Sequence, residues 1–125
     1  MNKILTWNLQ HGGGNRIDRI VDVLKQHQNP TTLVLTEFRN NNNGAIIQRV
    51  LIEMGFIYQF KTDADTNKNA VLIASKEDYD FLTFPELNEH AHRVIKVFNS
   101  ELSIYGCYFP QSEFKKPVFE FCFQK

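Results

Sequence analysis

Two polar residues stand where their surroundings ask for apolar ones. Asn8 closes the run Ile4-Leu5-Thr6-Trp7-Asn8, and Glu37 sits late in Thr32-Leu33-Val34-Leu35-Thr36-Glu37-Phe38. An unpaired carboxylate is expensive to bury, so Glu37 requires a cation, a partner group or water. A divalent ion held by oxygen ligands is one such partner. A carboxylate paired with a nearby Arg is another, and a strand-end Asn can simply satisfy backbone groups of the next turn.

The elements that must position these residues follow from the pattern. The β-prone stretch from Ile4 stops at Gly12-Gly13-Gly14, a strand running into a flexible turn. Asn15 can cap a helix with Ile17, Ile20, Val21 and Leu24 on its buried stripe, and Asn29-Pro30 ends it. Thr32 to Phe38 reads as a strand covered on both faces. Residues 40–43 and Gly44 make a loop before a second amphipathic helix bearing Ile46, Ile47, Val50, Leu51 and Met54, which Gly55 closes.

Five short strand-like runs come next, at 56–60, 69–75, 79–84, 93–98 and 102–109, with turns at 61–68 and 85–89. Such tight spacing favours antiparallel neighbours. From Gln111 a further helix is expected, with Phe114, Val118, Phe119 and Cys122 on one side. The order βαβα followed by strands predicts an α/β (α+β) fold with a mixed sheet. Its first two strands run parallel through a right-handed crossover. Asn8 and Glu37 then share the C-terminal strand edge, where open α/β sheets bind ligands.

Bulk composition narrows the function classes. A chain of 125 residues is the size of one domain. Lys+Arg and Asp+Glu are both 14, so anion recognition has to come from a local cluster. Eleven Phe demand a large apolar interior and predict some apolar surface left uncovered. Cys107 and Cys122 have no metal or redox spacing, which fits a reduced, cytoplasmic chain, and no membrane span is readable.

Three tempting signals fall short. Gly12-Gly13-Gly14 before a helix matches neither the dinucleotide nor the P-loop pattern, and reads as a turn keeping side chains out of a pocket mouth. Asp63-Ala64-Asp65-Thr66-Asn67 opens like a calcium loop, but Lys68 and Ala74 replace its Gly and Glu. His90-Ala91-His92 lacks a third zinc ligand in evident reach and reads as a solvated loop.

At these same residues the sequence resembles the endonuclease/exonuclease/phosphatase family of metal-dependent phosphoesterases. The likeness rests on Trp7-Asn8, on Leu35-Thr36-Glu37-Phe38-Arg39 and on the strand Asn69-Ala70-Val71-Leu72-Ile73-Ala74-Ser75. It continues through His92-Arg93-Val94-Ile95, Ile104-Tyr105-Gly106-Cys107-Tyr108-Phe109-Pro110 and the helix start at Lys116-Pro117. The resemblance implies about half of a four-layered α/β/β/α sandwich. It implies that Glu37 binds Mg²⁺ or Mn²⁺ and that Asn8 helps place the ion or the phosphate. Arg39 and Arg93 would contact phosphate oxygens, and Tyr108 would act catalytically with Asn8 beside the scissile phosphate.

The substrate would be DNA, RNA, a phosphoinositide or another phosphoester. Thr36 stands where Gln is typical, and Gln111 where Asn usually follows Tyr-x-Pro. The family's later Gly-Asp-x-Asn and Asp-His motifs do not occur in this sequence. Residues 1–125 are therefore expected to be a truncated N-terminal part of such a domain, either a hydrolase or an inactive remnant or binding module. Half of a face-to-face sheet pair is also expected to self-associate through an uncovered sheet face.

Overall fold

The computed structural model describes residues 3–27 and 29–108. In chain order come β1 (Ile4–Asn8), a tight 3-10 segment (His11–Arg16), α1 (Ile17–Gln26), β2 (Thr32–Phe38) and α2 (Asn42–Glu53). They are followed by β3 (Tyr58–Lys61), β4 (Ala70–Ser75), β5 (Asp80–Thr83), a second 3-10 segment (Pro85–Arg93), β6 (Val94–Phe98) and β7 (Ser103–Cys107). One sheet has the order β1-β2-β4-β3 and the other β5-β6-β7. β1 and β2 are parallel, as their connection through α1 requires. Every other neighbouring pair is antiparallel.

Alternation along β2 and β4 divides the core in two. Leu33 and Leu35 of β2 and Leu72 and Ala74 of β4 pack with Ile20 and Leu24 of α1 and Ile47 and Leu51 of α2. Val34, Val71 and Ile73 belong to the opposite face and pack with Ile95, Val97 and Ile104 of the second sheet. The described layers are therefore helices, mixed sheet and antiparallel sheet. Covered on both sides, β4 is buried at all six positions, which explains its unbroken apolar run. The Thr32 and Ser75 hydroxyls, buried within this layer, bond each other at 3.2 Å.

Several local readings change. Arg16, not Asn15, holds the N-cap position of α1 without a side-chain cap bond. Its guanidinium instead donates to the carbonyls of Leu9 and Gln10, fastening the helix start to the end of β1. The Asn-rich loop is shortened because the Asn41 side chain accepts the Gly44 N–H at 3.0 Å and starts α2 early. The turn after β5 continues as 3-10 structure to Arg93. The helix expected from Gln111 lies outside the described residues.

The expected bare face between sheets is filled, because both sheets belong to this chain and cover one another. Self-association through it gains no support. Exposed apolar groups do occur on edge strand β5, at Phe81 and Leu82. Among the described residues no helix is long and apolar enough to cross a membrane.

Gly106 of β7 packs directly against β4 of the other sheet. A Cβ there would stand 2.7 Å from Val71 Cγ1, 3.2 Å from Ile73 Cδ1 and 3.3 Å from Ile95 Cγ2. Gly106→Val should cost about 1–3 kcal/mol in urea unfolding, as overpacking does. Ser103→Ala, on an exposed position of the same strand, should stay within about 0.5 kcal/mol of wild type. Equal stability of all three proteins would contradict the packing described.

Candidate functional site

The site begins with an interruption. The pairing of β2 with β4 shifts between Leu35 and Phe38, and within that bulge Glu37 has φ 53°. A side-chain-bearing residue in the left-handed region costs about 1–3 kcal/mol and persists only where its surroundings over-determine it. Here fully buried Leu35 and Phe38 pair with Leu72 and Ala70 on either side. Burial of each such large side chain is worth about 1.5–3 kcal/mol, so the flanks outweigh the strain. The bulge re-aims the carboxylate, leaving it 11% exposed at the end of β2.

Three side chains surround it. The Asn69 amide donates to Glu37 Oε1 at 3.3 Å, and His11 Nδ1 lies 3.4 Å from the same oxygen. Arg39 donates from Nε to Asn69 Oδ1 at 3.1 Å, while its Nη2 is 3.2 Å from His11 Nδ1. Asn69 thus links the carboxylate to the guanidinium. The glycine turn makes this cluster possible. A Cβ on Gly12, whose φ is +74°, would meet Arg39 Cβ at 2.9 Å, so only glycine lets the turn carry His11 this close.

Beside the cluster lies a cavity of about 340 Å³. Its walls include Arg39, Lys68, Arg93, His90, His92 and Tyr108, with Asn67, Asn69 and Glu89 completing them. Three fixed cations against one carboxylate make it electropositive in a chain with no net charge. Arg93 stacks its guanidinium 5.2 Å from the Tyr108 ring centroid, and the Tyr108 N–H donates to the Arg93 carbonyl at 2.8 Å. The buried Arg93 Nε has no acceptor among the described residues. An anion oxygen would satisfy it, and Arg is suited to paired bonds with phosphate.

Arg39, Arg93 and Tyr108 therefore share one cavity, with Glu37 one hydrogen bond behind its wall through Asn69. Asn8 is placed differently. It is paired with Thr36 and so lies beside the bulge, but its Oδ1 accepts the Gln10 N–H at 2.8 Å. Among the described residues no hydrogen bond joins it to Glu37. Sequence reasoning gave no role to His11, Asn69 or Lys68. His90 and His92, read as a solvated loop, are half-buried in the cavity wall.

Among the described residues no group of three or more His, Cys, Asp or Glu side chains could hold a metal ion. Glu37 nevertheless suits a divalent ion that takes one or two protein ligands and fills its other positions with water and substrate phosphate.

No protein-family model matches this sequence, and no curated protein matches it. Among solved structures it is similar to an AP endonuclease from Archaeoglobus fulgidus, at 22% identity and a TM-score of 0.63. The match covers 89% of this chain and 42% of that one. At that identity the likeness is one of fold, and this chain spans well under half of the longer protein.

The cavity has a pH signature. Burial first, then the positive charges of Arg93, Lys68 and His90, hold the His92 pKa below its ordinary 6.5. Only a backbone hydrogen bond involving Glu89 opposes them. Below pH 6.5 the unfolded chain binds more protons at this position than the native one, so His92 destabilises the fold as pH falls through its lowered pKa. His92→Gln should flatten the fall in stability below pH 6.5 and leave stability above pH 7.5 less affected. Chemical denaturation of both proteins across pH 4.5–8 checks this, and parallel profiles would contradict it.

Proposed function

We propose that this chain forms part of a metal-dependent phosphoester hydrolase of the endonuclease/exonuclease/phosphatase type, acting on the phosphodiester backbone of a nucleic acid. The reading is carried by one observation: a nearly buried carboxylate, strained onto the strand edge, backs a cavity lined by Arg39, Lys68 and Arg93. The fold likeness to an AP endonuclease supports it and favours DNA among the substrates.

Each residue then has a part. Glu37 holds Mg²⁺ or Mn²⁺, with the Asn69 amide fixing the carboxylate's orientation. A bound ion would neutralise charge developing on the phosphoryl group. Arg39 and Arg93 grip non-bridging phosphate oxygens, and Lys68 adds a third positive charge. Tyr108, stacked under Arg93, presents its hydroxyl to the phosphate or the nucleophile. Asn8 positions the turn that carries His11, and its amide is a further contact for ion or phosphate.

A second reading keeps the site but not the hydrolysis: a phosphate-binding module or inactive remnant of the same fold. It is favoured by the buried, unpartnered Arg93 Nε in the cavity wall, which a bound anion satisfies without any reaction. Nicking of supercoiled plasmid by the purified chain in Mg²⁺ separates the two. Cleavage that Glu37→Ala reduces to background establishes an autonomous site. No cleavage, with phosphate or DNA binding that Arg93→Ala weakens about tenfold or more, leaves the binding module. Wild-type cleavage retained by Glu37→Ala would overturn the role given to this carboxylate.

A further inference from the structure

His92 is held in the cavity wall from two directions. The buried Thr62 hydroxyl donates to the His92 carbonyl at 2.7 Å and accepts the Val71 N–H at 3.1 Å, tying the residue to the first sheet. One position on, the Arg93 carbonyl accepts the Tyr108 N–H at 2.8 Å, just past the end of β7. The half-buried imidazole is therefore a fixed part of the wall. Arg93, Lys68 and His90 act on it as positive charges, and Arg39 lines the same cavity. Glu89 shares the wall, and Asp63 and Asp65 lie in a neighbouring cavity that Lys68, Glu89 and His92 also line. Burial first, then the cations, disfavour a proton on the ring. Yet the buried Arg93 Nε has no acceptor among the described residues, so the wall that repels a proton suits an anion oxygen.

An anion seated between Arg93 and Lys68 reverses the balance at His92. It offsets the repulsion of both cations and sets a negative charge beside the ring, and an opposite charge within about 4–6 Å favours the charged form. We propose that His92 is a proton-accepting binding residue of this cavity: a phosphodiester group held by Arg93 and Lys68 is bound together with a proton that the imidazole takes from solvent. The inference rests on the reading of the cavity as a phosphate site, and adds to it a residue whose charge appears only with the ligand. Protonated, the ring has donors at both nitrogens, and a phosphate oxygen accepts from one of them. The arrangement spares the folded chain a fourth like charge beside Arg39, Lys68 and Arg93 when no anion is there to balance it. The sign follows from linkage. The complex binds the proton more tightly than the free chain, so affinity is greatest in acid and falls as pH rises through the ring's pKa in the complex. His90, in the same wall, is the competing acceptor.

The test is calorimetric titration of the full chain with oligothymidylate lacking a terminal phosphate, in EDTA so that nothing is cleaved. Its bases and diester groups keep one charge state from weakly acidic to neutral pH, so any pH dependence belongs to the protein. Buffers of different ionisation enthalpy count the protons taken up, and imidazole NMR signals locate them. Expected in wild type is proton uptake near pH 6, a rise in the His92 ring pKa on binding, and affinity about threefold to tenfold higher at about pH 5.5 than at about pH 7.5. His92→Gln should lose the uptake and the gain in acid, yet stay within about twofold of wild type at about pH 7.5, where the ring is neutral. A merely structural His92 would weaken binding equally at every pH. His90→Gln should keep the uptake, and Arg93→Ala should weaken binding throughout. Binding without proton uptake, still weakened by Arg93→Ala, overturns the role of His92 and leaves the phosphate site. Uptake that survives His92→Gln but not His90→Gln does the same. An unmoved His92 ring in wild type decides against it even where a variant fails to fold. No binding, or binding indifferent to Arg93→Ala, overturns both.

Discussion

The burial of β2 on both faces governs the molecule. It is hydrogen-bonded to β1 on one side and β4 on the other, and its side chains enter both core clusters. Such a strand tolerates polar atoms only where they are paired. Thr32 meets this demand through Ser75. Glu37 meets it by leaving the ladder: the bulge breaks the alternation for one step and turns the carboxylate to the strand edge. The strain is local, and the large buried residues on either side hold it in place.

From that edge the remaining site residues arrive by three routes. The glycine turn after β1 delivers His11, the start of β4 delivers Asn69, and the 3-10 segment before β6 delivers His90, His92 and Arg93. Because β4 runs antiparallel to β2, its first residues meet the last of β2, with Ala70 opposite Phe38. Asn69 is thereby set beside Arg39 and Glu37. The second sheet contributes differently: packing of β6 and β7 against β4 brings Arg93 and Tyr108 to the other wall of the cavity. The Glu37 cluster and the cavity lined by Arg39, Lys68 and Arg93 thus lie side by side, joined by the amide of Asn69.

Electrostatics of the site are local by necessity. The chain carries equal numbers of acidic and basic residues, so no long-range field gathers anions. Arg39, Lys68 and Arg93 instead concentrate positive charge around one cavity, where burial first and then the charges of Arg93 and Lys68 lower the His92 pKa. The fold is that of the mixed α+β architecture seen in the AP endonuclease it is similar to, over less than half of that protein.

Amino-acid order alone determined the strand and helix succession, because period-two and helical spacing of apolar residues report burial directly. It also singled out Glu37, since a carboxylate following Leu-Val-Leu-Thr needs a cation, a partner group or water, and placed Asn8 on the same edge. Tertiary structure decided what touches what. Asn69 gains meaning only from the antiparallel register of β4, and His11 only from a left-handed turn pressed on Arg39. His90 and His92 read as solvated because nothing in their neighbours announces the wall that Lys68 and Arg93 build around them. Local periodicity encodes which face of an element is buried; contacts between residues dozens of positions apart depend on register and bulges, which a single linear pattern does not record.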